Sequence, residues 1–480
     1  MGLSYSPRTV FVSGSFNVLH PGHFRLLRFA RECGDRLIVA VLSDRMAATS
    51  AHVPEEYRLE MIKASGWVDE AFLLDEPVTA VLQRLKPAIV VKGKEHEARF
   101  NPELSILESY GGRLLFSSGE ALFSSLDLIR NEFTQANLQT IHLPGHFMAR
   151  HGLSQANMAQ RVERFAQQRV CVVGDLIIDE YITCQPLGMS QEDPTLVVTP
   201  IDSTRFIGGA GIVAAHAAGL GAEVQFISVT GIDSSQTFAR DGLEAYGVKA
   251  CLLEDDSRPT TLKQRFRSKG KTLLRVSHLR QGSISAPLQT QLLDQVKAVL
   301  PTVNLLVFSD FNYGCLPQPL VNQIIQEARK HQVMIVADSQ SSSQVGDISR
   351  FQGMNLITPT EREARLSTRN QEDGLVILAE QLRSQARAGN ILLKLGEEGL
   401  LIHVGNGAAE WFTDRVSALN STPKDVAGAG DSLLIASALT LASGGDIWEA
   451  ACVGSLAAAI QVGRVGNTPV QSSELLTELS

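Results

Sequence analysis

Apolar and polar positions alternate between two rhythms along this chain. Short continuous apolar runs that read as buried strands are followed by stretches with helical spacing. Thr9–Ser13 is β-branched and aromatic, and Arg36–Leu42 is almost wholly aliphatic. Between them Phe24, Leu27 and Ala30 recur at helical spacing among arginines, and Gly34 closes the pattern. Strand, loop, helix and parallel strand in that order predict a Rossmann-like unit with its chemistry at the strand's carboxyl end. From residue 169 the rhythm resumes. Arg169–Gly174, Val224–Ser228, Leu305–Ser309, Val333–Ala337, Leu356–Thr358 and Ile391–Leu395 read as strands. Ile207-Gly208-Gly209-Ala210-Gly211 opens an alanine-rich helical pattern that runs to Ala218, and further helical patterns occupy 318–330, 361–367 and 432–439. The fold class expected is α/β: a first domain over 1–135, and a doubly wound domain over 169–480. Residues 136–168 carry no strand pattern, and Leu153 to Gln168 reads as an amphipathic helix in a connector. Between about 250 and 280 the pattern changes to short polar strands with Arg258, Lys263, Arg265, Arg267, Lys269, Lys271 and Arg275. These form either a solvated sheet edge or a lid over an anionic substrate.

Composition narrows the classes. The chain has 480 residues, is 44% hydrophobic and carries a net charge of −8. Such a chain fills two or three soluble domains, and offers no basic excess for a nucleic-acid partner. Six scattered cysteines without a CxxC pair suit reduced thiols and a cytoplasmic setting. The amino terminus lacks a signal-peptide pattern, and no apolar run reaches the length of a membrane span.

Three stretches carry candidate chemistry. In Gly14-Ser15-Phe16-Asn17-Val18-Leu19-His20-Pro21-Gly22-His23, two imidazoles sit near a helix start. There they can stabilise charge on a nucleotide's phosphates while pyrophosphate leaves. Asp175 and Asp179 follow a strand, where carboxylates either accept hydrogen bonds from sugar hydroxyls or serve as ordinary turn acids. Asp425-Val426-Ala427-Gly428-Ala429-Gly430-Asp431 is a glycine-rich turn that opens an apolar helix. Its N–H groups and the helix dipole favour an anion, and Asp431 is either a helix cap or a general base. His142-Leu143-Pro144-Gly145-His146 has no strand before it, and its histidine spacing is one residue too long, so it reads as loop.

Residues 11–44 resemble the cytidylyltransferase-like nucleotidyltransferases, with His20 and His23 on that family's HxGH. The resemblance assigns Gly14, Ser15 and Phe16 to the phosphate loop. It also places Arg58, Lys92, Ser124 and Ser125 at the nucleotide. Residues 169–480 resemble the ribokinase-type (PfkB) sugar kinases, on VVGDLIIDEY, GGAGIVAAHAAGLGA, VFSDF, LITPTEREA and DVAGAGD. That resemblance implies Asp431 as the base that activates a sugar hydroxyl. Gly428, Ala429 and Gly430 become the anion hole, with Gly396 and Gly399 on the ATP side. Asp175, Asp179, Gly208, Gly209, Lys263 and Arg265 would hold the sugar, and Glu363 would organise Mg²⁺ through water.

Both halves are similar to those of the bifunctional heptose-phosphate enzymes of lipopolysaccharide synthesis, with the domain order reversed. Implied are an anomeric sugar kinase using ATP, and a nucleotidyltransferase using ATP or CTP. The partners expected are small-molecule sugars and nucleotides, with no nucleic acid or membrane, and a homodimer through exposed lid strands. Several positions depart from that pattern: Asn17, Ala48, Ile212, Tyr313, Gln340, Ala427 and Leu456. They leave open a reading in which one half is a scaffold or ligand sensor.

Overall fold

The computed structural model describes residues 8–480 apart from 18, 20, 48–52, 94–100, 118–140, 269–270, 341–345 and 407–409. The chain divides into two compact units: residues 1–138 with 370–381, and 139–369 with 382–480.

In the first unit five parallel strands form one sheet in the order β3-β2-β1-β4-β5. They are β1 (Thr9–Gly14), β2 (Arg36–Leu42), β3 (Glu70–Leu74), β4 (Ile89–Gly93) and β5 (Arg113–Ser117). β1 and β2 are central because both faces are apolar: Val10, Phe11 and Val12, with Leu37 to Val41, are all buried. The order reverses between β1 and β4, where a doubly wound sheet opens a crevice at its carboxyl edge. The loop after β1 and the helix Pro21–Glu32 lie at that edge.

The second unit is built on a nine-stranded sheet and a four-stranded one. Its strands are β6 (Arg169–Gly174), β7 (Leu176–Met189), β8 (Leu196–Gly209), β9 (Glu223–Thr230), β10 (Lys249–Glu254), β11 (Thr261–Ser268) and β12 (Lys271–His278). There follow β13 (Leu305–Asp310), β14 (Met334–Ser339), β15 (Leu356–Ile357), β16 (Asn390–Lys394), β17 (Leu400–Asn406) and β18 (Glu410–Val416). The large sheet runs β10-β9-β6-β13-β14-β15-β16-β17-β18, parallel from β10 to β16 and antiparallel beyond. The small sheet, β12-β11-β7-β8, is the lid. Of the stretch over about 250–280, expected as a solvated edge or a lid, β11 and β12 belong to the lid, whereas β10 pairs in parallel with β9 in the large sheet. The long hairpin β7–β8 supplies the other half of the lid. The apolar residues at the end of that hairpin (Leu187, Met189, Leu196 and Ile201) face solvent.

Two helices at the centre are apolar on every side, so both are buried. They are Ala429–Ala442 and Ile447–Val462. Small residues let them touch: a Cβ on Gly454 would fall 2.1 Å from Ser437 Oγ. The expected helix in 153–168 is present as Gln155–Glu163, continued by a 3-10 turn. A short helix, Gly145–Arg150, begins inside the histidine-flanked loop. Phe147, Met158, Val162 and Phe165 are buried in the core of the second unit, each such burial contributing roughly 1.5–3 kcal/mol. The segment read as a connector therefore packs as part of that unit.

Candidate active site

The strands β6, β13, β14 and β16 end at one edge of the large sheet, and the lid strands β7 and β11 rise beside it. A cavity of 890 Å³ lies there, lined among others by Asp179, Lys263, Arg265, Gln340, Glu363, Lys394 and the turn 426–431. The turn is shaped by Asp425. Its carboxylate accepts the Ala427 N–H (3.1 Å), the Gly466 N–H (3.2 Å) and the Tyr181 hydroxyl (3.0 Å). Gly428 has φ +76°, and a Cβ there would sit 2.3 Å from Asn467 Oδ1, so only glycine fits. The Ala429 N–H closes onto the Val426 carbonyl at 3.4 Å. The N–H groups of Gly428 and Gly430, like those of Val426 and Asp431, have no protein acceptor among the described residues.

Asp431 is not the helix cap. Gly428 occupies that position without a side-chain bond, and Asp431 lies one turn in, 6% exposed, on the cavity wall. Burial pushes its carboxyl up to about 7, and the nearby Asp338 charge adds to this. The Gln340 amide donates to its Oδ1 at 3.0 Å. Behind it, Lys394 Nζ pairs with both oxygens of Asp338 at 3.0 and 3.1 Å, and the Thr358 hydroxyl donates to the same carboxylate. Burial disfavours the Lys394 charge, but Asp338, Glu363 and Asp431 together hold it protonated above the usual lysine range. Glu363 also lines the cavity. Its Oε2 accepts the Thr360 N–H at 2.7 Å in a capping box that fixes the carboxylate at a helix start.

At the lid end Arg265 lies 3.3 Å from Asp179, and the Lys263 ammonium stands 5.2 and 5.1 Å from the ring centres of Phe311 and Tyr313. Burial raises the Asp179 carboxyl, with Arg265 and Lys263 opposing. Gly209 lines the cavity, whereas Gly208 makes room behind it: a Cβ there would meet Asp179 Oδ2 at 2.4 Å. On the far side Gly396 (φ +62°) and Gly399 (φ +91°) both line the cavity, and a Cβ on Gly399 would strike the Val416 carbonyl. Ala458, Ala459 and Val462 add an apolar wall suited to a flat base.

Two expected contacts are corrected. Asp175 does not line the cavity. It is 4% exposed and accepts the backbone N–H groups of Phe311 (2.8 Å), Tyr313 (3.2 Å) and Cys315 (3.1 Å). An acid buried at a strand end binds the neighbouring loop in place of solvent or sugar. Burial, followed by the Asp310 charge, raises its carboxyl to about 6. In the first unit Arg58 is wholly buried. It donates to the carbonyls of Val53 (2.7 Å), Ser15 (2.6 Å) and Leu42 (2.8 Å), and to Asp44 (2.5 Å). It fastens the loop after β1 from behind, with no exposed surface left for a nucleotide.

Elsewhere in that unit Gly14, Ser15, Phe16 and His23 come together after β1. Phe16 adopts φ +48°, and its ring meets the His23 imidazole edge-on at 5.1 Å. Lys92, at the end of β4, pairs with Glu103 at 2.9 Å. Arg45 is paired with Asp75. His20, Ala48, Ser124 and Ser125 lie outside the described residues.

The departures fall unevenly around the cavity. Ile212 and Leu456 are fully buried and off its wall. Tyr313 backs Lys263, and Gln340 touches Asp431. Asp338 and Lys394 are site residues that the sequence reading missed. Each stands at the carboxyl end of a strand, which was the available signal.

The family model of pfkB carbohydrate kinases matches residues 167–473, and the cytidylyltransferase-like model matches 11–117. Among known proteins, the bifunctional protein HldE of Shewanella baltica is 32% identical over 318 residues, 66% of this chain and 64% of that one. HldE of Helicobacter hepaticus is 30% identical over 315 residues, 64% of this chain and 63% of that one. The chain thus spans a little less than two thirds of the length of these relatives. Among solved structures, phosphofructokinase-2 from Escherichia coli in complex with substrates and products superposes with a TM-score of 0.54 at 18% identity. That match covers 65% of this chain and 98% of that one. Arabidopsis thaliana ribokinase complexed with ribose and ATP gives 0.53 at 17%, covering 65% and 99%. At these identities the likeness speaks for the fold of the second unit.

Proposed function

The chain belongs to the pfkB family of carbohydrate kinases, and from that premise we propose a bifunctional enzyme that makes a nucleotide-activated sugar for cell-envelope glycans. The part over 169–480 phosphorylates a heptose-like sugar or sugar phosphate at its anomeric hydroxyl with ATP. The part over 1–135 then couples the sugar 1-phosphate to a nucleotide from ATP or CTP. The observation that carries the kinase reading is Asp431, a buried carboxylate on the cavity wall one turn into a glycine-capped helix.

In the kinase step Asp431 takes the hydroxyl proton as the sugar oxygen attacks the γ-phosphorus. The new P–O bond forms while the bond to ADP breaks. The N–H groups of Gly428 and Gly430, with the helix start behind them, receive the charge on the transferring group. Asp179 accepts hydrogen bonds from sugar hydroxyls, Gly209 allows close approach, and Lys263 and Arg265 close the lid end. Gly396 and Gly399 border the ATP side. Mg²⁺ would supply charge neutralisation on the phosphates. Glu363, fixed at the cavity wall, is the side chain suited to hold its waters. Among the described residues no cluster of three His, Cys, Asp or Glu forms a cage, which suits an ion bound largely through phosphates and water.

In the second step a sugar phosphate oxygen attacks the α-phosphorus and pyrophosphate leaves. His20 and His23 stabilise the charge, with Gly14, Ser15 and Phe16 around the phosphates, Lys92 nearby, and Ser124 and Ser125 as further donors. Arg58 holds the loop from behind.

Among the described residues no helix is long and apolar enough to cross a membrane. A cytoplasmic enzyme fits the buried free thiols of Cys171, Cys315 and Cys452. The solvent-facing apolar end of the β7–β8 hairpin supports a homodimer through the lids.

The test is mass spectrometry of products from the full chain with a panel of sugars and sugar phosphates, ATP, CTP and Mg²⁺. The reading requires ADP and a sugar 1-phosphate, then pyrophosphate and a nucleotide sugar. Absence of any phosphorylated sugar across heptoses, hexoses and pentoses would overturn it.

A further inference from the structure

Gln340 occupies an unusual place for a neutral side chain. It directly follows β14, and its backbone is held at both ends. Its N–H donates to the Asp310 carbonyl at 2.8 Å, and its carbonyl accepts the Asn312 side-chain amide at 3.2 Å. From that fixed point the side chain reaches into the cavity. The single Nε2 lies 3.0 Å from Asp431 Oδ1 and 3.4 Å from Asp338 Oδ2. The two hydrogens of one amide nitrogen therefore span two carboxylates. The opposite amide orientation would set an oxygen against both, so the donor assignment follows from the partners.

We infer that Gln340 is a positioning residue for the phosphoryl-transfer base: it ties down Asp431 Oδ1 and leaves Oδ2 to take the proton from the acceptor hydroxyl. This rests on the kinase reading given above. A carboxylate with both oxygens free samples several orientations, and only some point a lone pair at the hydroxyl. With Oδ1 engaged, Oδ2 is the oxygen without a protein donor among the described residues. A neutral donor suits the task. A cation at the same place would stabilise the ionised carboxylate further and weaken it as a base, whereas an apolar side chain would leave the buried charge unsupported. The other charges facing Asp431 come from separate elements: Asp338 and Lys394 from the ends of β14 and β16, and Asp179 and Lys263 from the lid. Of these charges Lys394 is already committed to Asp338. Among the described residues Gln340 alone gives Asp431 a side-chain hydrogen bond.

The experiment uses the full chain labelled with ¹³C at aspartate carboxyls, the Asp431 signal being assigned by its loss in Asp431→Asn. Wild type, Gln340→Leu and Gln340→Lys are titrated by NMR over about pH 5–9. Removing the amide should move the Asp431 titration up, and the lysine should move it down, by roughly half to one pH unit each. A folding defect cannot produce shifts of opposite sign. The midpoint of kcat against pH should move with each titration, on any sugar that supports turnover, with KM for ATP changed less than kcat. Identical titrations in the three proteins, or shifts of one sign in both variants, overturn the assignment. If no sugar is turned over, the kinase reading fails separately, and the carboxyl titration still decides what Gln340 does to Asp431.

Discussion

Lys394 and Asp338 form a buried ion pair, Nζ 3.0 Å from Oδ1, at the ends of two strands separated by β15. Thr358, just beyond β15, donates to the same oxygen at 3.0 Å, so three neighbouring strand ends converge on one carboxylate. The pair sets the field at the turn 426–431, because a Cβ on Gly430 would lie 3.2 Å from the ammonium. Breaking a buried pair from one side leaves an uncompensated charge, which costs about 3–5 kcal/mol. Lys394→Met should therefore destabilise the second unit by that order in urea denaturation. It should also shift the kinase pH profile upward, since Asp431 loses a stabilising cation. Wild-type stability in this variant would count against the pair as an organiser of the site.

Asp431 links activity to pH with a definite sign. Its carboxyl titrates at about 7 because burial, then Asp338, oppose its charge. The base works only when ionised, so kinase turnover should fall as pH drops through about 7, with a midpoint absent from the nucleotidyl step. Stability should move the other way. The folded state binds the proton more tightly than the unfolded state, so this group's contribution is complete below the unfolded carboxylate range. It is lost as pH rises through about 7. Asp431→Asn should abolish the kinase by roughly 10²–10⁴-fold. The variant should also be more stable than wild type at pH 8, with the difference shrinking toward pH 4. Thermal unfolding at several pH values checks the slope, and a variant less stable than wild type at pH 8 would refute the linkage.

Arg58 separates the two proposed activities. All its guanidinium nitrogens are spent on the Val53, Ser15 and Leu42 carbonyls and on Asp44, and the side chain is fully buried. Arg58→Ala removes those donors and opens a cavity beneath the loop after β1. Pyrophosphate release should be lost together with the cooperative unfolding of the first unit, while ADP formation by the second continues. A variant that keeps its fold and loses only nucleotide affinity would instead make Arg58 a direct ligand.

The central strands were readable because both their faces are apolar, as in Val170–Val173 and Leu305–Phe308, where no polar position interrupts the run. The hairpin β7–β8 was not readable. From Gln185 to Thr204 its residues are almost all exposed, and a strand held by backbone pairing rather than burial leaves no periodicity to detect. The turn 425–431 announced itself through glycines, which the structure needs at Gly428 for both φ and space. Lys394 and Asp338 stayed hidden for a different reason. Their roles come from pairing across 56 positions, and neither sits in a glycine-rich or repeated pattern. Asp175 misled because an acid after a strand looks the same whether it meets a sugar or a loop.

That last residue makes a sharp test of the distinction. Asp175 satisfies three buried N–H groups, of Phe311, Tyr313 and Cys315, and so shapes the segment that carries the rings under Lys263. Asp175→Ala strands all three donors. Each unsatisfied buried group costs about 1–3 kcal/mol, so a loss of several kcal/mol is expected in urea denaturation. Sugar KM should rise as a secondary effect, because the Phe311 ring lines the cavity and displacement of the segment moves it with Lys263. Asp175→Asn keeps one acceptor oxygen and should recover part of both losses. A true sugar ligand would behave differently: Asp175→Ala would leave stability intact or improved and raise KM alone. Denaturation midpoints beside KM for the responsive sugar, in the two variants, separate the cases.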